Sequence, residues 1–250
     1  MARYFIEVSY LGNRYSGFQV QDDVATIQSA VEQALRTFYR VDIPLTGSSR
    51  TDAGVHAYGN FFHFDTDLDL QGKAVYNLNA LLPHDISVKA IYAVQPDAHA
   101  RFDAVARAYK YFIYNQKNPF LHERAYYYPY PVQLANLQAC AAVLPEYRDF
   151  EAFSKRNTQV NTYQCNIASA AWVATEHGYC FEVNANRFLR GMVRGLVGTM
   201  LRVQKTADPV AAFRTVIESG DCTQADFAVP GHGLYLMQVF YPDGLLQEIV

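Results

Sequence analysis

Between Gly47 and Ala57 the chain reads GSSRTDAGVHA, which sets Arg50, Thr51 and Asp52 between glycines inside an otherwise apolar and aromatic segment. A free aspartate titrates near about 3.9, so at neutral pH it is ionised without help from a base. A serine in the same place would need a general base, and none is nearby in the sequence. Asp52 is therefore the first candidate nucleophile. In a bent loop Arg50 comes close enough to pair with the carboxylate and aim it. Gly47 and Gly54 permit the sharp turns and close backbone approach of a loop that faces a substrate. A structural reading accounts equally well for these residues taken alone: Arg50 and Asp52 as an ion pair closing a β-turn, with Ser48 and Thr51 as turn formers.

Other residues offer weaker chemistry. His56 and His63 are an odd number of positions apart, so in a regular strand they face opposite sides of the sheet and cannot share a metal. His84, His99, His122, His177 and His232 lack ligand spacing, and no metal site is expected. Arg187, Arg190 and Arg194 follow one another at helical spacing, with Arg202 two turns on, and no acidic residue lies between them. Such a stripe is either a solvated helix face or a phosphate-binding track, and the absence of acidic partners favours the track. In VARAYKYFIY, the side chains of Arg107, Tyr109 and Tyr111 share a face. An aromatic beside an arginine suits stacking on an extruded base, although core tyrosines with satisfied hydroxyls are commoner.

The elements that must position these groups follow from hydrophobic period. Residues 3–10 alternate, with Tyr4, Ile6, Val8 and Tyr10 on one face of a strand. Thr26 is placed as the N-cap of a helix whose stripe is Ile27, Ala30, Val31, Ala34, Leu35 and Phe38. A short strand at 41–46, the loop, a long strand over 55–66, a helix over 73–82 and a strand over 85–94 complete a first half. This order suggests a split βαβ, ferredoxin-like unit. The second half is expected to contain a strand over 105–114, a helix from Pro131, a hairpin about Glu176–Gly178, a long helix from about Arg187, and a helix capped by Asp208. The strand GLYLMQVFY closes the chain. The expected architecture is α+β: two ferredoxin-like (split βαβ) halves, 1–103 and 104–250, sharing an extended, mostly antiparallel sheet, with helices on one face and a central cleft. The long aromatic connection over 115–131 is expected to lie near that cleft.

Composition bounds the class. Of 250 residues, 50% are hydrophobic and 18% charged, with 19 Tyr and 16 Phe, which describes a globular chain with a sizeable core. Cys140, Cys165, Cys180 and Cys222 form no C-x-x-C pair and read as small buried hydrophobes. No apolar run is long enough for a membrane span, and MARYFIEVSY enters a strand directly, so a cytoplasmic location is expected. The net charge of −3 means that any nucleic-acid surface must be a local basic patch.

Five blocks in order resemble one family. GSSRTDAGVHA is similar to the signature loop of the tRNA pseudouridine synthase A family. YLGNRYSGFQVQ with TIQSAVEQAL resembles that family's opening, LNALLPHDISVKAIYAVQPDAHARFDAVARAYKYFIYN its central block, FLRGMVRGLVG its arginine-bearing helix and GLYLMQVFYP its closing strand. The resemblance implies an enzyme that isomerises uridine to pseudouridine in tRNA, at positions 38, 39 and 40 of the anticodon stem-loop. It also implies a homodimer using neither metal nor organic cofactor. Carried over by motif, Asp52 is the nucleophile, Tyr109 contacts the target base, and Arg194 is the basic residue that pairs with the aspartate. Arg50 would orient the loop and touch the RNA backbone, and Leu234 or Leu236 would wall the base pocket. Leu11, Phe18 and Ser49 depart from the family's frequent Asp, Trp and Gly, at positions expected in loops and facing RNA.

Two rival classes are open to test. One is a non-catalytic RNA-binding protein with this fold, in which Asp52 would be dispensable. The other is a glycoside or nucleoside hydrolase, which would need a second carboxyl; Asp65, Asp67 and Asp69 are its candidates.

Overall fold

A computed structural model describes residues 1–68, 70, 72–156 and 161–249. The chain does not divide once. Met1–Val105 and Leu236–Val250 form one compact unit, and Ala106–Tyr235 forms another. The closing strand, which sequence order puts in the second half, thus packs largely with the first unit. It is held there by hydrogen bonds and rings: the Val105 N–H donates to the Phe240 carbonyl at 2.8 Å, Tyr241 Oη donates to the Ala100 carbonyl at 2.6 Å, and the Tyr241 ring meets Phe5 and Phe61 edge-on.

The first unit is built on strands β1 (Ala2–Tyr10), β2 (Thr46–Gly47), β3 (His56–Thr66) and β4 (Ile86–Val94), with helices α1 (Ile27–Tyr39) and α2 (Ala74–Leu81). β1 lies between β3 and β4, antiparallel to both, and slips register between Val8 and Tyr10 on the β3 side. Phe5, Ile6 and Val8 are fully buried, so this central strand is covered on both faces rather than on the one that simple alternation implies. Thr26 caps α1 as expected: its hydroxyl accepts from the Ser29 N–H, and the Ser29 hydroxyl accepts in return from the Thr26 N–H. Ile27, Val31, Ala34 and Leu35 form the buried stripe, while Phe38 at its end is exposed. The strand expected over 41–46 is much shorter, because Pro44 has no N–H to give a ladder; pairing starts only at Thr46, opposite His63.

The second unit contains β5 (Ala106–Tyr114), β6 (Tyr126–Tyr127), β7 (Ile167–Thr175) and β8 (Gly178–Ala185), with α3 (Leu134–Ala142), α4 (Met192–Val203) and α5 (Pro209–Glu218). β8 lies between β5 and β7, antiparallel to both, and β6 adds to β5 in parallel. The hairpin turns at Glu176–His177 as the pattern implies. α3 begins three residues beyond Pro131; the Gln133 N–H is taken by the Gln204 side chain at 2.8 Å. Asp208 caps α5 by accepting from the Ala211 N–H. Strand β9 (Leu234–Phe240) carries the chain from the second unit into the first, and β10 (Gln247–Glu248) ends on β4. Among the described pairings all but β5–β6 are antiparallel, in keeping with the mostly antiparallel α+β architecture. Cys140, Cys165 and Cys180 are buried as small apolar groups, and burial raises all three thiols; Cys222 is only half-buried. No helix among the described residues is long and apolar enough to cross a membrane.

Candidate active site

The loop from Gly47 to Val55 connects β2 to β3 and is fastened along its length. The Ser48 N–H donates to the Phe61 carbonyl at 2.8 Å, the Thr51 carbonyl accepts from the Phe18 N–H at 3.1 Å, and the Val55 N–H closes a turn on the Asp52 carbonyl at 3.2 Å. Ser48 and Thr51 are buried, Asp52 is half-buried, and Arg50 is exposed. The expected roles of the two glycines hold. Gly54 has φ of 78°, the left-handed region, and a Cβ on Gly47 would lie 2.4 Å from the Phe18 ring. Phe18 itself is buried and stacks on Phe62 with centroids 4.4 Å apart. Its departure from the family pattern is therefore a change in the loop's apolar floor, not in an RNA-facing residue.

A buried polar cluster beneath the loop escaped the sequence reading. The Asn60 amide, on β3, accepts from Ser48 Oγ at 2.7 Å and donates to the Ser49 carbonyl at 3.0 Å and to Tyr10 Oη at 3.0 Å; Tyr10 Oη and Thr51 Oγ1 are 2.8 Å apart. The available signal was a lone asparagine in the aromatic strand AYGNFFHF, where an unsatisfied amide would be costly to bury.

His56 and His63 each bond to backbone, in different places. His56 Nδ1 accepts from the Gly12 N–H at 3.0 Å, which ties the YLGNRYSG segment to β3. His63 Nδ1 accepts from the Ala100 N–H at 3.2 Å, and burial together with neighbouring His99 and Arg3 lowers its pKa to about 4. Asp65 is clamped by the Arg3 guanidinium through two bonds of 2.7 Å, and Asp67 pairs with the N-terminal amine. Both carboxyls are thereby accounted for on the protein itself, which weakens the hydrolase alternative; Asp69 lies outside the described residues.

In the second unit the arginine stripe is corrected. α4 starts at Met192, after Gly191 in the left-handed region, and the Arg190 carbonyl accepts from the Lys155 N–H. Arg187 and Arg190 therefore sit on the loop before the helix and do not share its face with Arg194. Arg194 is half-buried and donates to the carbonyls of Val229 at 2.8 Å and Phe227 at 3.3 Å, and Arg202 donates to that of Gln224. Met192, Leu196 and Val197 are buried, and Phe188, before the helix, is half-buried.

The shared face on β5 is also subdivided. Tyr111 is fully buried and its hydroxyl donates to the Pro230 carbonyl at 2.7 Å, so it is a core tyrosine. Arg107 is buried and donates to the Asn186 carbonyl at 2.9 Å. Tyr109 is half-buried, its ring edge-on to Phe188 with centroids 5.0 Å apart. On β9, Leu234 and Leu236 are both buried.

Comparison with known proteins gives the family. A family model described as tRNA pseudouridine synthase matches residues 6–103 and 147–242. The chain is 43% identical over 248 residues to the tRNA pseudouridine synthase A of Parabacteroides distasonis, covering 98% of each. It is 41% identical over 250 residues to that of Porphyromonas gingivalis, covering 98% of this chain and 99% of the relative. With Bacillus subtilis the identity is 36% over 239 residues, 94% of this chain and 97% of the relative. The loop bearing Asp52 and the block bearing Arg194 both fall within the matched family segments, and with relatives similar from end to end the chain belongs to the tRNA pseudouridine synthase family, isomerases that act on uridine in tRNA.

Proposed function

We propose that this chain isomerises uridine to pseudouridine at positions 38, 39 and 40 of the tRNA anticodon stem-loop, as a cytoplasmic homodimer, with Asp52 as the nucleophile on a flipped-out uridine. The observation that carries the reading is the loop itself: Ser48 and Thr51 are buried and bonded in place, while Asp52 between them and the β3 strand is half-exposed on a fixed backbone. The reaction breaks the N1–C1′ bond, turns the uracil and joins C5 to C1′; the C5 proton leaves to solvent and N1 gains one, so no atom is lost overall. A carboxylate suits this chemistry because it is ionised at neutral pH and is regenerated at the end. Flipping the base costs a few kcal/mol, which stacking on Tyr109 and phosphate contacts offset. Arg194 serves as the cation of the site, Arg50, Arg187 and Arg190 contact the RNA backbone, and Leu234 and Leu236 supply apolar wall.

Tritium release from tRNA carrying [5-³H]uridine tests the proposal directly, because forming the C5–C1′ bond frees that hydrogen. The wild type is expected to release it and Asp52→Asn, folded and still binding tRNA, is not. Release by Asp52→Asn at the wild-type rate would remove the nucleophile assignment. Binding without release by the wild type would favour the RNA-binding reading, and free uracil the hydrolase. Mapping pseudouridine along the product tRNA checks positions 38–40, and sedimentation equilibrium checks the dimer.

A further inference from the structure

We propose that Asn60 is a positioning residue for Asp52: its buried amide sets the backbone that leads into the candidate nucleophile. This rests on the assignment of Asp52 made above. The side chain is fully buried in β3, and both of its ends are saturated. Oδ1 accepts from Ser48 Oγ at 2.7 Å and from the Phe61 N–H at 3.0 Å, and Nδ2 donates to the Ser49 carbonyl and to Tyr10 Oη, each at 3.0 Å. An asparagine amide offers two acceptor and two donor positions, and all are used. Tyr10 Oη, which accepts from the amide, also shares a hydrogen bond of 2.8 Å with Thr51 Oγ1, in which either hydroxyl can donate. One side chain therefore reaches Ser48 and Ser49 directly and Thr51 through Tyr10, three of the four residues that precede Asp52.

The position itself argues for this role. Along β3 its neighbours Phe61, Phe62 and Phe64 are buried apolar rings, so a buried amide is tolerated at 60 only because each of its polar positions is bonded. Apart from the bond accepted from the Phe61 N–H, the amide's bonds run to the loop and to the tyrosine that is bonded to the loop. The ordering of the backbone before Asp52 is thus completed on folding and does not have to be repeated in each turnover, the condition under which placement accelerates a reaction.

The single-turnover rate of pseudouridine formation at saturating enzyme, the tRNA dissociation constant and the thermal midpoint would be measured for Tyr10→Phe, Asn60→Asp and Asp52→Asn. Tyr10→Phe deletes one hydroxyl from the chain of bonds; Asn60→Asp sets an oxygen against the Ser49 carbonyl. The expected result is that both bind tRNA within about twofold of wild type, while the single-turnover rate falls about tenfold in Tyr10→Phe and about a hundredfold in Asn60→Asp. Adding Thr51→Val to Tyr10→Phe should cost nothing further in rate, since the two act on one bond; general destabilisation would add instead. If Asn60→Asp does not fold, Tyr10→Phe and the double variant decide alone. An inactive Asp52→Asn beside a folded Tyr10→Phe at the wild-type rate would overturn the role of Asn60 while leaving Asp52 in place. Full turnover by Asp52→Asn would overturn both assignments.

Discussion

At the scale of residues, side chains on one face of a strand divide between core and surface. Tyr109 and Tyr111 are two positions apart on one strand, yet only Tyr109 retains exposure; Tyr111 is sealed by Gly233, where a Cβ would lie 2.6 Å from the tyrosine ring, and by its bond to Pro230. The role of Tyr109 is expected to depend on its ring. Tyr109→Ala should weaken binding of tRNA by the roughly 1–3 kcal/mol that one stacked base contributes, and Tyr109→Phe, which keeps the edge-on contact with Phe188, should lose much less. Equal losses in the two variants, measured by equilibrium titration with tRNA, would count against stacking. Asp52 and Tyr109 stand out as candidates in the sequence because each lies in a contiguous motif, a carboxylate in a glycine-bounded loop and a tyrosine next to a cation. Asn60 was not, because hydrogen bonds that saturate a buried amide join positions 10, 48, 49 and 60, and no spacing along the chain announces them.

At the scale of elements, the corner where β3 meets the 95–103 turn carries a pH dependence. His63 is held neutral by burial, with His99 and Arg3 acting in the same direction and Asp65 and Asp103 opposing, so that it titrates near about 4 instead of its ordinary 6.5. Burial lowers His99 as well. Between those two values the unfolded chain binds a proton that the folded chain does not. The linkage makes stability rise with pH there: it is complete above about 6.5 and is lost as pH falls towards 4. Below that range, protonation of the Arg3-bound Asp65, whose pKa is lowered by that bond, removes more. The urea midpoint is expected to fall from pH 7 to pH 4.5, and His63→Gln should flatten that slope, whatever it does to stability at pH 7. An unchanged slope in His63→Gln would assign the acid limb elsewhere. Element starts were read best where a side chain does the capping, at Thr26 and Asp208. They were read worst at α4, where apolar and basic periodicity runs on through Gly191 although its backbone is left-handed and no helix can pass through it.

At the scale of the whole molecule, a net charge of −3 leaves RNA binding to a few local cations. Arg202 and Arg194 spend donors on backbone carbonyls of the second unit, while Arg187 stands on the loop before α4. Arg187→Ala should therefore reduce the slope of log affinity against log salt by about 1, and Arg202→Ala should leave it unchanged. A tRNA affinity that does not vary with salt would discard the basic contacts altogether. The sequence by itself determined the order of strands and helices, the chemistry available at Asp52 and the family, because side-chain period, capping residues and a contiguous loop motif are properties of neighbours along the chain. Only the tertiary structure decided that Arg187 and Arg190 leave the face of Arg194, that Arg107 and Tyr111 belong to the core, and that the closing strand packs with the first unit. It also decided that Asn60 and Tyr10 brace the loop of Asp52. Those outcomes depend on burial and hydrogen bonds between residues tens of positions apart, where the desolvation of polar groups outweighs local spacing.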